Sequence, residues 1–243
     1  MRSLLLGTLI VAGAATGCIY DDGYGGDVAS ISAEWRFKNE ATQQLTGCPQ
    51  GFNTVAMHNL NVDAAGDPIP GSDVIDLFDC SDGGGISAPL YPDVYQTFIE
   101  VTDDSGNDLY AQSLSAIVDV VVTDKLFDAT ILNDGGYFSL SWDLIGSTSN
   151  RALGCADVDG VSGVEAISTS MADSTNAVSD QFNCEDHFGV TGGILQGAYT
   201  VSVNAFNSDG SAIGTAPAIT SKTIQDRNRV TALGHIEIPI DGQ

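Results

Sequence analysis

Hydrophobic residues recur at every second position in several short stretches of this 243-residue chain. Ile31, Ala33, Trp35 and Phe37 alternate with polar neighbours, and Phe138, Leu140, Trp142 and Leu144 repeat the pattern further on. Tyr95-x-Thr97-x-Ile99-x-Val101 and Tyr199-x-Val201-x-Val203-x-Ala205 do the same. A period of two sends successive side chains to opposite faces, so each stretch predicts a half-buried β-strand. Both Tyr-led strands run into Asp/Ser/Gly turns, at 103–106 and 207–210. No long amphipathic helix stands out. The apolar segment from Ser113 to Val122 is β-branched and reads as strand.

The alternating stretches also match one another. Trp35 precedes Cys48 by the same distance as Trp142 precedes Cys155, and Gly47 and Gly154 stand just before the cysteines. Further on, Val74–Cys80 overlies Val178–Cys184, and Asp82, Gly85, Tyr95 and Gly106 overlie Asp186, Gly189, Tyr199 and Gly210. Trp, two cysteines, Tyr and several glycines in the same order predict an internal repeat, with units at 29–134 and 136–243 joined around Asn133–Gly136. Setting Cys18 aside, four cysteines allow three pairings. A repeat selects Cys48–Cys80 and Cys155–Cys184, since each unit then closes its own loop. Each bridge is expected to contribute about 3–4 kcal/mol. A zinc-thiolate alternative lacks any CxxC or close Cys/His pair.

Short strands, Gly/Asp/Ser turns, one Trp and one cysteine pair per unit predict a β-sandwich. The strand Gly197-Ala198-Tyr199-Thr200-Val201-Ser202-Val203 resembles the Tyr-x-Val-x-Val strand of bacterial immunoglobulin-like or transthyretin-like modules. True immunoglobulin domains place Trp between the cysteines, whereas Trp35 and Trp142 precede both. The expected fold is therefore all-β: two tandem, duplicated antiparallel β-sandwich (Ig-like) domains.

The N-terminus reads as an address. Met1-Arg2-Ser3 is followed by an apolar run from Leu4 to Ala15, too short to span a bilayer but suited to a signal-peptide core. It ends in Ala15-Thr16-Gly17-Cys18, which resembles the lipobox of bacterial lipoproteins, with Ala15 where Leu is usual. The resemblance implies cleavage after residue 17, lipidation of Cys18 and attachment to membrane through that lipid. Residues 18–28 then form a Gly/Asp-rich tether. Ile19 is not the Asp that marks inner-membrane retention in enteric lipoproteins, so the outer membrane is the expected location.

Charge narrows the function. The chain holds 32 Asp+Glu against 8 Lys+Arg, a formal net charge of −24. This argues against nucleic-acid binding through basic patches. Asp far outnumbers Glu, which suits turns and caps rather than helix. Catalytic motifs do not appear. His58, His187 and His235 are scattered, Gly160-Val161-Ser162-Gly163 falls one residue short of GxSxG, and Gly83-Gly84-Gly85 reads as a turn. Asp157-Val158-Asp159-Gly160 resembles the opening of a calcium loop, which makes Asp157 and Asp159 the metal candidates, although Val161 and Ser168 break the EF-hand pattern. The expectation is a non-catalytic, envelope-anchored lipoprotein acting as a structural or binding element, with an envelope protein or glycan as partner. The alternative is a calcium- or glycan-binding surface adhesin, and a remoter one is an enzyme with a site between the repeats.

Overall fold

The computed structural model describes residues 28–121 and 123–241. The expected signal peptide, Cys18 and all of the tether but Val28 lie outside the described residues. Among the described residues, no helix is long and apolar enough to cross a membrane.

The protein is all-β. Its first half runs β1 (Ile31–Asn39), β2 (Gln44–Thr46), β3 (Thr54–Asn61), β4 (Val74–Asp79), β5 (Gly84–Ile86), β6 (Val94–Thr102), β7 (Leu109–Gln112), β8 (Ala116–Asp119) and β9 (Lys125–Leu132). The second runs β10 (Gly135–Gly146), β11 (Ala152–Leu153), β12 (Val161–Ser170), β13 (Ala177–Asn183), β14 (Phe188–Val190), β15 (Ile194–Leu195), β16 (Gly197–Asn207), β17 (Ala212–Thr215), β18 (Ile219–Ile224) and β19 (Arg229–Ile240). In the first half, β1 pairs with β2 and β5 along one edge and with β9 along the other, facing a sheet of β4-β3-β6 flanked by β7 and β8. In the second half, β10 pairs with β11, β14 and β15 and with β19, facing β13-β12-β16 flanked by β17 and β18. The pairings are antiparallel except β1–β9 and β10–β19, where the first and last strands of each half run parallel.

Each half has its own core, because the alternating residues of the two sheets point at each other. Ile31, Ala33, Trp35 and Phe37 face Val55, Met57, Ile99 and Val101 in one cluster. Phe138, Leu140, Trp142 and Leu144 face Val164, Ala166, Val201 and Val203 in the other. Disulfides Cys48–Cys80 and Cys155–Cys184 close the expected loops.

The cores match atom for atom in several places. Trp35 Nε1 donates to the Cys80 carbonyl at 2.9 Å, and Trp142 Nε1 to the Cys184 carbonyl at 3.2 Å. The tryptophan rings lie against Phe78 and Phe182. Each phenylalanine ring in turn fills the space a Cβ would take at Gly85 or Gly189. The Ser87 hydroxyl accepts from Ile31 N–H and that of Thr191 from Phe138 N–H, both at 2.9 Å. The Tyr95 and Tyr199 hydroxyls donate to carbonyls four residues upstream.

Two local expectations need correction. Of Gly83–Gly85, only Gly83 makes a turn, at φ +67, while Gly84 and Gly85 lie in β5 paired to β1, with Gly85 leaving room for the Phe78 ring. Of residues 113–121, only Ala116–Asp119 form a strand, the short β8, and a bend follows at Val121. Before β8, Ser113 N–H donates to the Ile99 carbonyl, while the Ser113 hydroxyl, in place of its carbonyl, accepts from Ile99 N–H.

Candidate functional site

The two halves meet at a joint built from the linker and one turn. β9 runs into Asn133-Asp134, and β10 begins at Gly135. The Asp134 carboxylate accepts from the Glu40 and Ala41 amides at 2.5 and 3.2 Å, which ties the linker to the end of β1. Asn133 N–H donates to the Lys38 carbonyl, and the Tyr110 hydroxyl donates to Asn133 Oδ1 at 3.0 Å. Gly135 and Gly136 are glycines for closeness: a Cβ on either would run into the backbone of Ile194 or Arg229.

The turn between β18 and β19 grips this linker from the other side. Arg227 and Asn228 are both left-handed, at φ +57 and +62, a conformation that Asn tolerates better than most residues. It aims their N–H groups at the Asn133 and Gly135 carbonyls. The Asn228 side chain, 2% exposed, accepts from Leu132 N–H and donates to the Gln112 carbonyl, both at 2.8 Å. One buried amide of the second half thus holds the first, with its acceptor and donor both used. The Arg227 guanidinium sits 5.2 Å from the Tyr110 ring centroid, a cation–π distance. Tyr137, 6% exposed, reaches across to the Thr130 carbonyl at 3.5 Å.

Beside the joint opens a cleft of about 710 Å³. Its wall is β7 with the following residues 113–115, and its floor comes from Ser139, Phe188, Val190 and Val230. Arg227 and Arg229 stand at its rim. Leu109, Phe188 and Val230 are 51%, 56% and 47% exposed there.

Further along the same strand, β10 carries a polar cluster. Ser141 Oγ is 3.2 Å from His235 Nδ1, and His235 Nε2 is 3.4 Å from Asp143 Oδ2. His187 Nδ1 lies 3.6 Å from Asp143 Oδ1 and donates to the Trp142 carbonyl at 3.2 Å. Both imidazoles and the carboxylate are about half exposed. Ser141 and Asp143 are two positions apart in the sequence, whereas His187 and His235 lie far from them; β10 brings the four together because it has β14 on one side and β19 on the other. In the first half the places of Asp143 and His235 are held by Arg36 and Asp128, an ion pair at 2.8 Å.

His58, on β3, is stacked on Phe98 and lies 2.8 Å from Asp73 and 3.5 Å from Glu100. Asp157 and Asp159 do not converge. Asp157 accepts from the Gly154 amide at 2.9 Å, inside its own short 3₁₀ turn, and Asp159 lies on an exposed turn. Among the described residues, no three His, Cys, Asp or Glu side chains gather so as to hold a metal.

No family model matches the chain, and no curated protein matches it. Some solved structures overlap with it at low similarity. A leucine-rich repeat protein from Bacteroides thetaiotaomicron is 10% identical with a TM-score of 0.39, over 88% of this chain and 26% of that one. This chain therefore spans about a quarter of that protein. GBS52, the minor pilin of Streptococcus agalactiae, is 11% identical with a TM-score of 0.31, over 86% of this chain and 96% of its own. The fimbrial anchor protein Mfa2 from Porphyromonas gingivalis is 8% identical with a TM-score of 0.29, over 80% and 82% of the two chains.

Proposed function

We propose that the chain is a non-catalytic structural and binding element of a bacterial envelope. In this reading Cys18 carries the lipid, residues 18–28 form the tether, and a duplication produced two sandwich modules at 29–134 and 136–243. The joint carries the reading. The Asn228 side chain binds the first half, and the Asn133 and Asp134 carbonyls accept from Arg227 and Gln196 of the second, a use suited to holding a surface at a set distance and angle. The cleft beside the joint is the part of that surface shaped to receive something. The Ser141–His235–Asp143–His187 cluster lies on an open strand face. A hydroxyl and an imidazole in contact need a preorganised anion site and a dry setting before they act on an acyl group.

The test combines chemistry and location. Cells expressing the full chain and fed radiolabelled palmitate should label it, Cys18→Ser should abolish the label, and the labelled protein should fractionate with outer membrane. Label that survives Cys18→Ser overturns the anchor, and a hydrolytic activity lost on Ser141→Ala overturns the non-catalytic reading.

A further inference from the structure

We propose that the cleft beside the joint binds an extended acidic peptide strand of a partner protein, which lies along the open edge of β7 with its carboxylates toward Arg227 and Arg229. The inference rests on reading the chain as a binding element and adds the site and the chemistry of its partner.

The two halves provide an internal comparison. β7 and β17 occupy corresponding places, each pairing with the Tyr-led strand of its half through a bulge. β17 is closed off: Gly214 pairs with Ile240 of β19 and ties its two sheets together. The contact is so close that a Cβ on Gly214 would strike the Pro239 carbonyl and the Ile240 side chain. In β7 the corresponding residue is Ala111, which carries that Cβ. Among the described residues β7 pairs with β6 alone. Its outer edge faces the cleft instead, and all residues from Leu109 to Ser115 line it. Side chains of a strand alternate, so an unbroken run of lining residues means that backbone as well as side chains is presented. Apart from the Gln112 carbonyl, which the Asn228 amide holds at 2.8 Å, this edge is a template for one more strand, and exposed Leu109, Phe188 and Val230 offer contacts for its apolar side chains.

Charge chooses the occupant. Acids outnumber cations 32 to 8 in this chain, yet no Asp or Glu lines the cleft, while two arginines do. Arg227 lies over the Tyr110 ring with Asp226 3.9 Å away, and Arg229 is held by the Gln225 side-chain carbonyl at 2.6 Å. Guanidinium groups so placed are geared to carboxylates, and a basic spot in an acidic field also orients an incoming acidic segment.

A random dodecapeptide library panned against the full chain tests this. Enriched peptides should alternate apolar residues with Asp or Glu. Resynthesised and followed by fluorescence anisotropy, they should bind at least ten-fold more weakly to Arg227→Ala/Arg229→Ala and lose affinity as salt rises. A control removing two cations that do not line the cleft, Arg151→Ala/Lys222→Ala, should leave binding unchanged. Three results overturn the proposal: no enrichment, equal binding to the rim variant and to the unaltered chain, or equal loss in the control. Oligogalacturonate binding that depends on the same arginines, without peptide binding, overturns the peptide as occupant. Concentration-dependent self-association lost in the rim variant overturns a separate partner in favour of a second copy. If peptide selection fails while palmitate labelling at Cys18 succeeds, the site is wrong and the envelope reading stands.

Discussion

Tyr137 reports on the joint through its proton. Burial, with a smaller push from the Glu40 carboxylate, raises its phenol to about 12. In an unfolded chain the same group titrates near ~10. The folded protein therefore holds this proton more tightly than the unfolded one. Tyr137 costs nothing below pH ~10, and its cost grows as pH rises from there toward 12, where unfolding releases the proton. Urea unfolding at stepped pH should show stability falling across that window by an amount on the order of 2 kcal/mol from this residue. Tyr137→Phe should flatten part of the fall. Burial shifts Tyr95 and Tyr199 in the same direction, so some of the loss should persist in the variant. Parallel pH curves for the unaltered chain and the variant would remove Tyr137 as the cause.

At the scale of elements, β5 and β14 test how closely the halves match. Gly85 and Gly189 each give their Cβ space to a phenylalanine ring that also packs on a tryptophan. Gly85→Ala and Gly189→Ala should each cost about 1–3 kcal/mol by overpacking, with similar values in the two halves. Denaturant titration measures both, and a cost in one half alone would separate their packing. The long strands were legible in the sequence because their inward residues alternate over four or more positions. β2 was not, since all of its three residues are exposed and leave no pattern to read. The parallel pairing of β1 with β9 was equally hidden, because it joins residues about ninety positions apart. The matched disulfides were legible through the repeat. The cleft was not, since its wall and floor come from separate segments of both halves. The nearest signal was Asp226-Arg227-Asn228-Arg229, a turn with two arginines in a chain poor in them, and nothing local says that its Asn would bridge the halves.

For the whole molecule, the cores of the two halves match while their outer faces differ. An Arg36–Asp128 ion pair on one becomes the Asp143–His235 contact on the other. The joint holds both faces in one frame. Asn228→Ala should leave Leu132 N–H and the Gln112 carbonyl without their partner at a buried place and cost about 1–3 kcal/mol. Calorimetry should show one transition for the unaltered chain and a separation toward two for the variant. One transition in both proteins would mean that the halves are coupled by other contacts.

The parallel pairing of first and last strands also decides how the protein carries load. β1 and β9 both run toward the joint, and β10 and β19 both run away from it, so Val28 and Asp241 lie at opposite poles. A pull on a bound tip against an anchored base would slide each parallel pair lengthwise and strain eight register positions in one half and eleven in the other at once. Optical-tweezer handles at 28 and 241 should therefore meet high rupture force, and handles at 28 and 125, which peel β1 from β9 one bond at a time, a much lower one. Equal forces would refute the idea; unequal ones would make this chain a tension member, strong along its length and weak across it.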